Sequence, residues 1–477
     1  MFRSFSKGLN LIANFDNTVC CFIFYPLTLI WNYLQLPRVP QSKVTRLRYI
    51  SVLVIVSTMS MFMISTKSYK YLTDSFCFKI GYHNCEYLHG VGPVYRMLFT
   101  VFLFFSIMAV LLIGVENSLC TRATIHNQLW IFKSIILFGC TIASIFLPRS
   151  IYTGEVWHFF GLNGGFAVII VQFLFLIDAV HIFNSKVISL MEYKEYSNSS
   201  KLCFLMLWIP TSIFYIGSLF GTVMFYKRYS SKTDCISNLF FVSFHVYMCV
   251  AATFISIHPV IQEVRPKSGL LQSSIASAYS TYILMTALSN QPDGICNPSR
   301  NYLYPIDSLK NEQIIISLVL NLFIIIIFSL RSVKSPQYGK TNNSPLNKQN
   351  ITEKQSNQTN SDDNSPNKES ENNELPKKLK IVYDDEYNGV EYSYSFFHTV
   401  IGISALYTMM VLTNWYRPEE EENLSVKLIA GWGAVWMKIC SGIFCVFLYI
   451  WSMVAPLLFP NSYKELVFYE LFFTVYS

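Results

Sequence analysis

The sequence predicts an all-α polytopic membrane protein of about ten transmembrane helices, and three observations predict it. Ten apolar runs are each about the ~20 residues a helix needs to cross the ~30 Å hydrocarbon core. Hydrophobic residues make up 52% of the 477 and charged residues only 14%, against roughly 25% charged in a soluble protein. No ten-residue segments alternate apolar and polar as a membrane β-barrel requires. Backbone groups in hydrocarbon must bond internally, so the runs are helices.

The spans read in order as 47–66, 94–115, 127–147, 157–184, 202–226, 236–258, 270–290, 314–330, 393–413 and 433–459. The stretch 19–36 is also apolar but is interrupted by Pro26 and Asn32. It is expected to lie at the interface or against the bundle, with an eleventh span as the alternative. The fourth run is long: 28 residues from Trp157 to Asn184 make about 42 Å of helix. A helix longer than the membrane is thick should tilt or run diagonally.

Between spans eight and nine, residues 335–377 are dominated by Asn, Ser, Lys and Glu. Such composition cannot bury a core. The domain plan is therefore a cytosolic, partly interfacial N-terminal segment (1–46), spans one to eight (47–334), a disordered hydrophilic cytosolic loop (335–390), spans nine and ten (391–460) and a C-terminal tail (461–477). No cleavable signal peptide is evident at the start.

Ten spans put both termini on one side. Lys and Arg near the span ends lean modestly toward cytosolic termini. Cys77, Cys85, Cys235 and Cys296 then fall in outer connections, where an oxidising compartment would let them pair. Four cysteines allow three pairings; Cys77–Cys85 and Cys235–Cys296 are the expected ones. The sequons at Asn342, Asn350 and Asn357 would be cytosolic, which leaves Asn423 as the accessible glycosylation candidate. The net charge of +7 is too diffuse for nucleic-acid binding and suggests anionic lipid headgroups at the span ends.

Ionisable groups inside hydrocarbon are costly and usually functional. Lys133 lies about 10 Å up the third span and Asp178 about 9 Å from the end of the fourth. Antiparallel neighbours would put the two at one level, where an ion pair would relieve both. Gln172 and His181 flank Asp178, and His181 shares its helix face. Together with His126 these residues are expected to form a polar groove or gate, with a structural clamp as the alternative. Lys438, near the outer end of the last span, is expected to snorkel. His245 and His398 read as satisfied core groups. Glycines Gly161, Gly164 and Gly165 open the fourth span and are expected to permit close helix packing. There is no GxSxG elbow, HExxH helix, P-loop or dinucleotide fingerprint, so no enzyme is expected; no cofactor and no metal site are expected either.

Several passages resemble one family. Residues 262–274, Gln-Glu-Val-Arg-Pro-Lys-Ser-Gly-Leu-Leu-Gln-Ser-Ser, are very similar to the signature of the serine incorporators, also called TMS membrane proteins. Further similarities lie at 296–299 (Cys-Asn-Pro-Ser), at 392–398 (Tyr-Ser-Tyr-Ser-Phe-Phe-His) and at 412–416 (Leu-Thr-Asn-Trp-Tyr). Others are Trp130 with Lys133, Leu176-Ile177-Asp178 with His181, and Trp436 with Lys438. The motif positions carried over are Arg265, Ser268, Gly269, Gln272, Ser395, His398, Asn414, Trp415 and Lys438. Family members often begin with a cysteine-rich segment, whereas here Cys20 and Cys21 stand alone.

The resemblance implies ten helices in two subdomains with a long diagonal helix between them. It implies a role in delivering serine for phosphatidylserine and sphingolipid synthesis, lipid binding in a groove and, for some members, phospholipid scrambling without ATP. Membrane phospholipids are the partners it implies, with serine, a second copy of the chain and lipid-synthesising enzymes as further expectations; no nucleic acid is expected. The localisation expected is endomembrane or plasma membrane. The alternatives are a secondary transporter of serine and a non-transporting scaffold for lipid-synthesis enzymes.

Overall fold

A computed structural model describes residues 39–65, 90–146, 154–193, 198–231, 234–265, 269–298, 312–330, 382–387, 389–420, 426–429 and 431–459. Twelve helices occupy these residues. They are α1 (Gln41–Ile64), α2 (Val91–Leu111), α3 (Thr121–Asn127), α4 (Trp130–Ile145), α5 (Gly154–Tyr193), α6 (Asn198–Tyr229), α7 (Ile236–Ile257), α8 (Pro259–Val264), α9 (Leu270–Ser289), α10 (Glu312–Leu330), α11 (Tyr394–Leu412) and α12 (Trp432–Leu458). Two short ribbons complete the described fold. β1 (Val39–Pro40) pairs in parallel with β2 (Val382–Tyr383), and β3 (Arg417–Glu420) pairs antiparallel with β4 (Val426–Ile429).

The architecture is that of a polytopic all-helical membrane protein, and every expected span is helical. Seven single helices are long and apolar enough to cross a bilayer, and a bent pair makes an eighth. Helix α10 is apolar but shorter, and α9, which carries many small hydroxylated side chains, falls outside that set. Helix α9 buries Gln272, Ser273, Ser274, Ser277, Ser280, Thr281, Thr286 and Ser289. These are mostly small side chains, which let neighbouring helices approach closely in a membrane. Accordingly α9 is the hub of one bundle and packs against α6, α7 and α12. The second bundle is centred on α2 and α11, with α1, α4 and α10 around them.

Helix α5 joins the two bundles. It packs on α10 and α11 of one and on α6, α9 and α12 of the other. Its 40 residues make about 60 Å of helix, twice the ~30 Å hydrocarbon core. It is longer than the 157–184 read from the sequence and too long to stand upright in a bilayer. The α5–α11 crossing is close because of glycine. A Cβ on Gly164 would lie 2.6 Å from Leu406 and one on Gly165 2.5 Å from Trp415, while one on Gly161 would strike Met410. The packing role expected of these glycines is what they perform.

Three boundaries differ from the sequence reading. The first helix begins at Gln41, six residues before the expected 47, so Arg46 belongs to it. The third span is not one rod. Helices α3 and α4 meet at 65°, and Leu129 between them takes a left-handed φ of 61°. Part of the loop expected to be disordered is docked: β2 pairs with β1, and Ser42 donates through its N–H and its hydroxyl to Asp385. The segments 19–36, 335–377 and 461–477 lie outside the described residues, as do Ser268, Cys77, Cys85, Asn342, Asn350, Asn357 and Asn423.

Candidate functional site

The break at Leu129 explains Lys133. Ending α3 at Asn127 leaves its last carbonyls without intrahelical donors and at the negative end of the helix dipole. Lys133, in the first turn of α4, reaches back to them and donates to Ile125 O (3.1 Å) and His126 O (3.0 Å). Its ammonium also donates to Tyr49 Oη (2.8 Å) and lies over the Trp130 ring at 3.8 Å. These hydrogen-bond partners all lie in α1 and α3, and the expected ion pair with Asp178 is not among the contacts of the described residues. Lys133 belongs to the α2–α11 bundle, and α4 packs chiefly on α2 rather than α5.

Around Lys133 lies a buried polar cluster that draws α1, α3, α4, α11 and the 384–392 segment together. His126 and His398, both fully buried, meet Nδ1 to Nε2 at 2.9 Å. His126 Nε2 lies 2.7 Å from Tyr392 Oη, and the His126 ring stacks on Tyr394 at 3.9 Å. Tyr394 donates to Glu386 at 2.6 Å and Asn127 donates to Tyr394 at 3.3 Å. The Arg46 guanidinium sits 4.5 Å above the Tyr392 ring. Glu386 is fully buried, and burial pushes its carboxyl up to about 7. Burial also raises the Tyr392 phenol well above its ordinary value. His398 is not the satisfied core group expected, because its Nδ1 is buried with no partner among the described residues. His245 is satisfied, by Ser280 on Nδ1 and Thr281 on Nε2, each at 3.1 Å.

At the opposite end, Lys438 is buried at 3% exposure and does not snorkel. It donates to Thr286 O (3.1 Å) and to Asn290 Oδ1, and faces the Trp415 ring at 4.7 Å. Asn290 in turn donates to Asn414 O. Asn414 and Trp415 take φ values of 52° and 62°, a left-handed turn that ends α11 and aims the indole at Lys438. Nearby, Cys235 and Cys296 form the expected disulfide, with Cα atoms 5.5 Å apart. It ties the start of α7 to the loop after α9, and Asn238 of α7 joins the same loop through Gln291 and the end of α6 through Tyr229 O.

Between the bundles, midway along α5, Gln172 donates to Asn321 of α10 at 2.7 Å, and Asn321 donates to Thr408 of α11 at 3.3 Å. Tyr279 of α9 donates to Ile169 O at 2.9 Å and approaches Gln172 Oε1 at 3.4 Å. Gln172 thus links both bundles rather than flanking an ion pair. Asp178 is buried farther along the same helix. Its surroundings are again the seam: Phe175 stacks on Phe328 of α10 at 4.4 Å, while Val180 packs with Leu271 and Ile275 of α9. His181, one turn on, is half-buried.

Where it is described, the signature around residues 262–274 makes contacts at helix ends. Gln272 accepts from the Gly269 N–H at 2.9 Å, the backward half of a helix-capping arrangement. Arg265 ends α8 with its N–H on Ile261 O. Ser395 is half-buried in the first turn of α11, where its carbonyl accepts from Thr399. Among the described residues no three metal-ligating side chains are grouped. Arg46, Tyr49, Tyr279, Asn290, Asn321 and Glu386 escaped the sequence reading. Asn321 left one trace, a lone amide in an otherwise apolar run.

Comparison with known proteins decides the family. The serine incorporator family model matches residues 19–462. The chain belongs to the serine incorporator family. It is 35% identical over 385 residues to a probable serine incorporator of Nematostella vectensis, covering 79% of this chain and 81% of that one. It is 33% identical over 398 residues to mouse serine incorporator 3 (78% and 80% covered) and 29% identical over 447 residues to mouse serine incorporator 5 (89% and 93%).

Proposed function

We propose that this serine incorporator moves lipid headgroups across the bilayer along the seam beside α5, without ATP, and thereby supports incorporation of serine into phosphatidylserine and sphingolipids. One observation carries the reading. The buried amides Gln172 and Asn321 and the hydroxyls of Thr408 and Tyr279 meet halfway along α5, which packs on helices of both bundles. Polar groups at that depth are costly unless used. Parting the bundles would release these groups to a passing headgroup while its acyl tails stay in lipid. Asp178 and His181 extend the polar line along α5. The ion pair between Lys133 and Asp178 has no part in this path, because Lys133 is committed to the end of α3.

The test is a reconstituted flip assay with defined lipids, run beside radiolabelled serine uptake on the same preparation. The reading expects lipid flip without serine accumulation. Uptake without flip would favour a serine transporter, and neither activity would favour a scaffold for lipid-synthesising enzymes.

A further inference from the structure

Between α7, α9 and α12 lies a cavity of about 270 Å³. Its walls are almost wholly apolar, with Phe241, Ile283, Ile443 and Val446 among them. Its outer rim carries Phe240 (61% exposed), Trp436 (51% exposed) and the exposed free thiol Cys440, so it opens sideways toward the bilayer. Lys438 is the one charged side chain in its lining among the described residues.

The charge count at this lysine is incomplete. Two of its three N–H donors go to Thr286 O and Asn290 Oδ1 and the ammonium faces the Trp415 ring at 4.7 Å, all neutral partners, and no carboxylate is paired with it among the described residues. A buried charge normally carries a partner of opposite sign. The other polar groups of the wall are already engaged, since His245 bonds Ser280 and Thr281 through its two ring nitrogens. An occupant would thus find one cationic donor and an apolar sleeve.

We propose that this cavity binds a long-chain fatty acid, its carboxylate on the Lys438 ammonium and its tail passing between Phe240 and Trp436 into hydrocarbon. Three features select this occupant. The charge required is a single negative one. The volume sits just below the ~300–1,000 Å³ typical of ligand pockets, which suits one chain and not two chains with a headgroup. Lys438 lies six residues into α12, about 9 Å below its start, a depth at which a compact carboxylate fits and a phosphodiester with its own polar appendage does not. The proposal is independent of lipid movement along the α5 seam.

The experiment measures maleimide labelling of Cys440, resolved by peptide mass, in phosphatidylcholine nanodiscs with oleate, oleyl alcohol or dioleoyl phosphatidate added. Oleate should slow Cys440 labelling at least fivefold, and the alcohol and the phosphatidate less than twofold, with Cys140 unaffected by any of them. Lys438→Met should abolish the oleate effect. Ile443→Trp, which fills the cavity and leaves the lysine in place, should abolish it too and carries the test alone if the lysine variant fails to fold. Equal protection by oleyl alcohol would reduce the cavity to an apolar crevice. Equal protection by the phosphatidate would overturn the single-chain assignment, and full protection of Ile443→Trp would overturn the location.

Discussion

His126 and His398 meet ring nitrogen to ring nitrogen at 2.9 Å, across α3 and α11. One proton lies between them, so one imidazole donates and the other accepts. Tyr392 engages the far side of His126, and the chain of bonds holds the broken third span against the start of α11. His126→Leu should leave His398 Nε2 and the Tyr392 hydroxyl buried without partners. A cost of roughly 2–4 kcal/mol follows, visible as a drop in thermal midpoint of the detergent-solubilised protein. A midpoint within one degree of the parent would remove the clasp.

Lys133 and Asp178 should be energetically independent. Residues in contact show coupling of roughly 0.5–3 kcal/mol in a double-mutant cycle, while distant ones add within about 0.5 kcal/mol. The cycle of Lys133→Met with Asp178→Asn, read as thermal stability, should fall in the second class. Lys133→Met alone should be strongly destabilising, because it strips the cap from α3.

The spans were legible because apolar length is the membrane's own requirement, and the long fourth helix and the Cys235–Cys296 bridge followed from length and placement. The third-span break was not legible. No Gly or Pro marks residues 128–129, and the turn is imposed from outside by Lys133 over the α3 carbonyls and by the Trp130 indole donating to Asn127 O at 2.9 Å. Depth arithmetic along an unbroken helix therefore placed Lys133 opposite the wrong partner. Glu386 was hidden for a different reason. Its neighbours are charged and polar, and only tertiary contacts with Ser42, Ser118 and Tyr394 bury the segment that carries it. His126 and His398 were both singled out, yet 272 residues of sequence separate them and nothing in the pattern joins them.

The docking of residues 382–392 should weaken as pH rises. The Glu386 carboxyl titrates near 7 in the fold and near 4.3 in an unfolded chain. A raised pKa means the folded state holds the proton more tightly. Its stabilising contribution is complete below about pH 4 and is lost as pH climbs through 7. Hydrogen exchange of peptides covering 382–392 should quicken tenfold or more between pH 5 and pH 8 after correction for intrinsic rates, and Glu386→Gln should flatten that profile. An equally steep profile in Glu386→Gln would assign the effect to another group.

Among the fourth-helix glycines, Gly165→Ala should cost more than Gly161→Ala. The methyl at 165 meets the rigid six-membered ring of Trp415, whereas at 161 it meets the flexible thioether of Met410. Overpacking of this kind costs about 1–3 kcal/mol. The order of thermal midpoints checks it, and the reverse order would show that the indole moves and the methionine does not.

The central claim is that the Gln172–Asn321 pair serves lipid passage and not merely packing. Replacing both partners of a buried hydrogen bond by apolar groups is nearly neutral for stability, so the double variant Gln172→Leu with Asn321→Leu separates the two roles. Measured in protein-containing vesicles at matched insertion, its phospholipid flip rate should fall at least tenfold while its thermal midpoint stays close to the parent's. A flip rate equal to the parent's in that well-folded variant would contradict the account.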